Sequence, residues 1–264
     1  MISFRPPRFS VLAAIGSCLF AGATVVVAGP PLVVDDPETL DRGQFEWFTS
    51  LQFTKHGSTR TYETPTELTI GLAPGWECSI NGSWQYIQDA SASPQTINGV
   101  LSLGLGTKYR LLAESATMPV SVALSGTLRF PISPNAKYAN QGKVTGGGIL
   151  VVARTFGAFT INANIGYGIG GAQNREKAAD AFFFGLAVQR IFAKKYTVFA
   201  ETYATPEVAN CRNAVINADG GLLWDFSDRY RVSFLVGRGF RPGCAEFYAN
   251  AGFLLSLGPT KPAN

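Results

Sequence analysis

Histidine is nearly missing from this chain. The single one among 264 residues, His56 in "TKHGS", leaves almost no room for a serine–histidine–aspartate triad, a histidine-based metal centre or a paired-histidine proton relay. Charge is also scarce. Asp, Glu, Lys and Arg make up 15% of the residues, against about 25% in an ordinary soluble domain. The net charge of +4 is too small to argue for a nucleic-acid partner, and no zinc-finger, RNA-binding or helix-turn-helix pattern occurs. Past the N-terminus no apolar run reaches the roughly 20 residues of a membrane helix. No cofactor, metal site or catalytic residue is expected, and the chain is not read as an enzyme.

What is present points elsewhere. Hydrophobic residues reach 46%, with 29 glycines and 19 phenylalanines. The N-terminus reads as a secretory signal over residues 1–28: Arg5 and Arg8, an apolar run from Val11, then Val26 and Ala28 at the positions three and one before a cleavage. An uncleaved membrane helix and a lipidated Cys18 are rival readings of this segment.

From there to the C-terminus the pattern is of strands. In "WECSINGSWQY", Trp76, Cys78, Ile80, Gly82, Trp84 and Tyr86 share one face, and Glu77, Ser79, Asn81, Ser83 and Gln85 the other. Twelve such segments are read, near 43–54, 62–72, 76–87, 99–112, 118–131, 143–154, 158–169, 181–191, 196–204, 214–225, 230–239 and 246–257. Phe159, Ile161, Ala163, Ile165, Tyr167 and Ile169 oppose Thr160, Asn162, Asn164, Gly166 and Gly168. Leu101, Leu103, Leu105, Tyr109 and Leu111 oppose Ser102, Gly104, Gly106, Lys108 and Arg110.

An apolar face could point to the core of a soluble sandwich or to lipid. The connections favour lipid. Those near 73–75, 113–117, 155–157, 192–195 and 226–229 read as short. Those near 55–61, 88–98, 132–142, 170–180, 205–213 and 240–245 read as longer and polar. Short periplasmic turns alternating with long outer loops are the mark of an outer-membrane barrel. The expectation is a single all-β, twelve-stranded antiparallel transmembrane barrel over 43–257, built as a meander in the outer membrane. Residues 29–42 precede it as a periplasmic or lumen-entering segment, and 258–264 form a tail. Trp76, Trp84 and Trp224 near strand ends suit aromatic girdles in contact with outer-membrane lipid.

On that reading the polar faces line a lumen. Its charged candidates are Glu67, Glu77, Lys108, Arg110, Arg129, Glu201 and Asp219. They either guide a solute or form ion pairs that fill a narrow barrel. Lys108, Arg110 and Arg129 form a basic stripe on strands four and five. Leu235 and Tyr248 are candidates for an apolar lumen patch. Cys78 falls on the lipid face. Cys211 and Cys244 fall in the fifth and sixth outer loops, where an oxidising compartment permits a disulfide. "GYGIGG" (Gly166–Gly171) matches a dinucleotide-binding fingerprint by letters, but a polar loop follows it where a helix is required.

"GPPLVVDDPETLDRGQFEW", "KYRLLAES" and "LLWDFSDRYRVSFLVGRG" resemble the outer-membrane family named for the MetA pathway of phenol degradation, with Asp35 and Asp36 in its N-terminal motif. The resemblance implies a porin-like barrel and passive transport of small, aromatic or otherwise hydrophobic solutes. A structural or surface-interaction barrel with a plugged lumen is the alternative.

Overall fold

In the computed structural model, which describes residues 32–90, 96–135, 143–174, 177–193, 195–208, 214–241 and 244–258, twelve strands follow one another around a closed ring. They are β1 (Phe45–His56), β2 (Thr59–Ala73), β3 (Trp76–Asp89), β4 (Thr96–Leu112), β5 (Ser121–Pro131) and β6 (Thr145–Phe156). The second half is β7 (Phe159–Asn174), β8 (Lys177–Phe192), β9 (Tyr196–Thr205), β10 (Val215–Ser227), β11 (Tyr230–Gly239) and β12 (Phe247–Leu257). Each pairs antiparallel with its sequence neighbours. β1 closes on β12 through a ladder from Phe45↔Leu257 to Lys55↔Phe247. Closure leaves no edge strand, so every strand's backbone polar groups face a neighbour, as a hydrocarbon surround requires.

The alternating faces sort as read. Leu51, Ile80, Leu124 and Ile165 point outward and are exposed, while Asn81, Lys108, Asn164 and Glu201 point inward and are buried. An apolar exterior around a polar interior is the inverse of a soluble core, and lipid is the solvent that makes it stable. Two aromatic rows mark the rims. Tyr196, Trp224, Phe226, Tyr230, Phe253 and Trp47 form a chain of ring contacts at the end where β1 begins. Phe247, Phe53, Tyr62, Tyr86 and Trp84 form another at the opposite end. Trp76 and Trp84 lie on one strand, eight residues apart. That is roughly 20 Å of height at ordinary strand rise and tilt, close to the apolar band of such barrels.

Three expectations need correction. Leu101 does not face lipid. It is 2% exposed and packs inside the wall with Ile87 and Ile97. The cause is a register shift: Gly82 pairs Leu103 but Trp84 pairs Val100, so β4 carries one extra residue there. An extra residue turns every later side chain to the opposite face. Secondly, 55–61 and 170–180 are not long loops. β1 and β2 continue to a turn at Gly57–Ser58, and β7 and β8 pair out to Asn174↔Lys177. Gly57 sits at φ +54°, a left-handed conformation that glycine adopts without steric cost. Thirdly, the connection read as short at 113–117 runs from 113 to 120. Short and long connections therefore do not alternate strictly. Polar composition shows where a strand leaves lipid, and the ladder can continue beyond that point.

Candidate functional site

The lumen is crossed by the chain's own N-terminal segment. Residues 32–41 pair with no strand; they form a strap held to the wall mainly by hydrogen bonds and ion pairs. The strap leaves β1 at a tight turn, where Gln44 N–H donates to Asp41 O and Gly43 N–H to Gly71 O. Gly71 is required for this close approach, because a Cβ there would overlap the backbone carbonyl of Asp41. Leu40 N–H donates to Glu77 Oε2 at 2.8 Å. Glu38 Oε2 meets Arg110 Nη1 at 2.7 Å.

The middle of the strap carries its charged anchor. Lys108 Nζ lies 3.1 Å from Asp35 Oδ1, 3.1 Å from the Asp36 carbonyl and 3.5 Å from Glu77 Oε1. Lys108 and Asp35 are both buried. Asn164 on β7 grips the Asp35 backbone from the far wall, accepting its N–H at 2.7 Å and donating to its carbonyl at 3.0 Å. Glu201 on β9 then accepts the Val33 and Val34 N–H groups at 2.9 and 2.8 Å, one on each carboxylate oxygen.

The lumen lining is divided. Leu32 and Val34 pack into an apolar cluster with Ile149, Val151, Phe183, Phe199, Leu235 and Tyr248 on the β6–β12 side. Val34 is 1% exposed. It presses on Gly185, where a Cβ would come within 2.8 Å of Val34 Cγ2. Within this cluster Tyr203 Oη and Tyr248 Oη lie 3.3 Å apart, and Tyr248 donates to Asp219 Oδ2 at 2.8 Å. Asp219 is the register partner of Glu201. The β2–β5 side is polar. There a cleft of about 30 Å³ remains beside the strap, among Asp35, Glu67, Glu77, Ser79, Lys108 and Thr127. That is room for water rather than for an aromatic ring.

The seven charged lumen candidates thus fall into three groups. Lys108, Arg110, Glu77 and Glu201 hold the strap. Glu67 accepts from Thr69 and Asn81 on its own wall, at 3.2 and 3.3 Å, and Asp219 accepts from Tyr248. Arg129 lies inward on β5, half-buried like Glu63 on β2. The basic stripe is not an open run of positive charge, because Asp35 and Glu38 neutralise two of its three members. The space beside Gly104 and Gly106 is occupied by the side chains of Asn81 and Ser79. Asp35 takes part in the Lys108 ion pair, whereas Asp36 contributes a carbonyl to Lys108 and a carboxylate oxygen to Glu38 N–H. Cys78 faces outward and contacts Thr107 Oγ1 at 3.5 Å. Cys244 is buried in the connection just before β12. Cys211 lies outside the described residues, so its pairing with Cys244 remains a proposal. The signal segment 1–28 and the tail from 259 also lie outside them.

Glu38, Glu63, Asn164 and the Val33–Val34 amides were not legible as site residues. The signal available for Asn164 was an asparagine on the lumen face of an otherwise apolar strand.

A closed ring of tilted strands, two aromatic rims, an apolar exterior and a polar, crossed interior define an outer-membrane β-barrel. The chain belongs to the family described as "Putative MetA-pathway of phenol degradation", whose sequence profile matches residues 28–257. Among solved structures it is similar to the COG4313 outer membrane channel from Pseudomonas putida F1. That match has a TM-score of 0.63 and 9% identity, over 84% of this chain and 98% of that one. The KdgM porin matches with a TM-score of 0.56 and 11% identity, over 81% and 99%. The CymD monoaromatic hydrocarbon channel matches with a TM-score of 0.50 and 9% identity, over 84% and 90%. At these identities the likeness is one of fold. No curated protein sequence matches the chain.

Proposed function

We propose that the barrel is a passive channel for small solutes, with aromatic or otherwise hydrophobic molecules as its favoured cargo, and that it performs no chemistry on them. The observation that carries this reading is the divided lumen. An apolar strip containing Ile149, Phe183, Phe199, Leu235 and Tyr248 runs beside a polar wall, and the cover on that strip is a strap outside the sheet. A strap held by side-chain bonds can leave without breaking the ladder. When it does, a molecule with an apolar body and one polar group meets a matching surface, and water passes along the polar side. The names of the CymD monoaromatic hydrocarbon channel and of the family agree with such cargo. We place the strap end of the barrel at the periplasm and the 132–142 connection outside the cell; an N-terminal secretory signal and a strap that leads directly into β1 support this orientation.

The test is uptake into liposomes. Reconstituted protein should admit phenol-sized aromatic solutes faster than sugars of equal mass. Deletion of residues 32–41 should raise both rates, with the barrel still folded by its heat-modifiable migration in gels. Folded protein that admits nothing with or without the strap would refute the channel and leave a plugged structural barrel. A tag inserted in 132–142 should be labelled on intact cells; labelling of a tag in 113–117 instead would reverse the orientation.

A further inference from the structure

The outer surface of the barrel carries a basic feature that the channel does not use. At the rim where β6 ends and β7 begins, Phe156 and Phe159 are register partners, and Phe159 in turn pairs with Arg190 on β8. All three point outward and are exposed. Arg154, two residues before Phe156 and on the same face, lays its guanidinium over the Phe156 ring, with Cζ 4.5 Å from the ring centre. Arg190 lies over Phe159 at 5.0 Å and over Phe192 at 4.5 Å. The two guanidiniums therefore rest on the rings of two residues paired across adjacent strands. Stacking uses the flat face of a guanidinium and leaves its N–H edge free to donate.

Neither arginine forms an ion pair with a carboxylate among the described residues. Glu114, on the nearby β4–β5 connection, directs both carboxylate oxygens to the Thr155 N–H at 3.1 Å. Lys195, in the turn after β8, is exposed and adds positive charge at the same rim. Elsewhere this rim carries the aromatic row of Tyr196, Trp224, Phe226 and Tyr230, with the Arg231–Asp225 ion pair and the exposed Asp228 and Arg229 of the β10–β11 turn beside it. A pair of arginines with free donor edges, at the depth where aromatic residues meet headgroups, matches a phosphate that brings its own acyl chains.

We propose that Arg154 and Arg190 clamp the phosphate of an anionic phospholipid in the periplasm-facing leaflet, with Phe156, Phe159 and Phe192 as the shelf that holds the two guanidiniums. The choice of leaflet rests on the orientation proposed above; binding itself does not, and it is measured without a membrane. Lipid chains lie against the neighbouring outward residues Ile161 and Val188, which are apolar and exposed.

The experiment is native mass spectrometry of the detergent-purified full chain with added phosphatidylglycerol, phosphatidylcholine or inorganic phosphate. Expected is retention of phosphatidylglycerol on the order of tenfold above phosphatidylcholine, with no adduct from phosphate alone. The Arg154→Gln, Arg190→Gln double variant should lose that preference, and Arg60→Gln, at the opposite rim, should keep it. Equal retention of the two lipids by the parent overturns the proposal, as does undiminished preference in a folded double variant. Should the double variant not fold, the parent's ratio between the two lipids still decides. Liposome uptake plays no part in this readout, so a failure of the channel reading and a failure of the lipid site are separable.

Discussion

Replacing Asp35 by alanine should loosen the strap while leaving the barrel intact. The carboxylate accepts from Lys108 Nζ at 3.1 Å and from the Asp36 N–H at 2.9 Å, and its side chain is 2% exposed. Removing one partner of a buried ion pair costs about 3–5 kcal/mol, because the other charge is left uncompensated. Here Lys108 keeps Glu77 at 3.5 Å and the Asp36 carbonyl at 3.1 Å, which reduces the loss to about 2–3 kcal/mol. The loss falls on the seated strap alone, so the ratio of released to seated strap should rise by roughly 30- to 150-fold. Asp35→Asn keeps an acceptor and should lie between the parent and Asp35→Ala. Single-channel recording in planar bilayers reads this directly as more frequent and longer open events. Limited proteolysis at the strap gives an independent readout. If Asp35→Ala lowered the thermal midpoint of the barrel and changed neither conductance nor proteolysis, the strap would be part of the folded wall and the reasoning would fail.

Two further outcomes follow from the fold. Ile80 faces outward, 42% exposed, midway along β3; Ile80→Arg should destabilise the inserted barrel by about 2–4 kcal/mol in a lipid-vesicle unfolding titration, and a neutral result would mean that this face meets water. At the opposite rim from the strap's entry, Lys55 Nζ donates to Glu246 Oε2 at 2.6 Å and Gly57 N–H to Glu246 Oε1 at 3.3 Å. The hydrogen bond and charge of Lys55 hold the Glu246 carboxyl below its ordinary range. A depressed folded-state value means that the contact's contribution is present above the usual carboxylate pKa and is lost as pH falls through the lower folded value. Hydrogen exchange at the Gly57 amide, corrected for intrinsic rate, should therefore accelerate only on that acid side; acceleration near neutral pH would contradict the pairing.

The sequence by itself determined the wall. A strand's side chains alternate with a period of two, so Ile161 and Ile165 against Asn162 and Asn164 already state which face meets lipid and which does not. Twelve such segments, joined by turns, leave a meander as the simplest way to satisfy every backbone group in a bilayer. Leu101 escaped this logic because its face depends on one extra residue in β4 opposite Gly82 and Trp84, and pairing register is a property of two strands together. The continuation of β1–β2 and β7–β8 escaped it as well, since a polar residue can remain in a ladder after the lipid ends. Only the tertiary structure decided what fills the lumen. Lys108 meets Asp35 across 73 residues of chain, and Asn164 reaches the same residue across 129. A local period carries no information about partners across a cavity. Those partners exist because closing the sheet brings opposite walls within reach of one crossing segment, where buried charge and backbone amides must find each other.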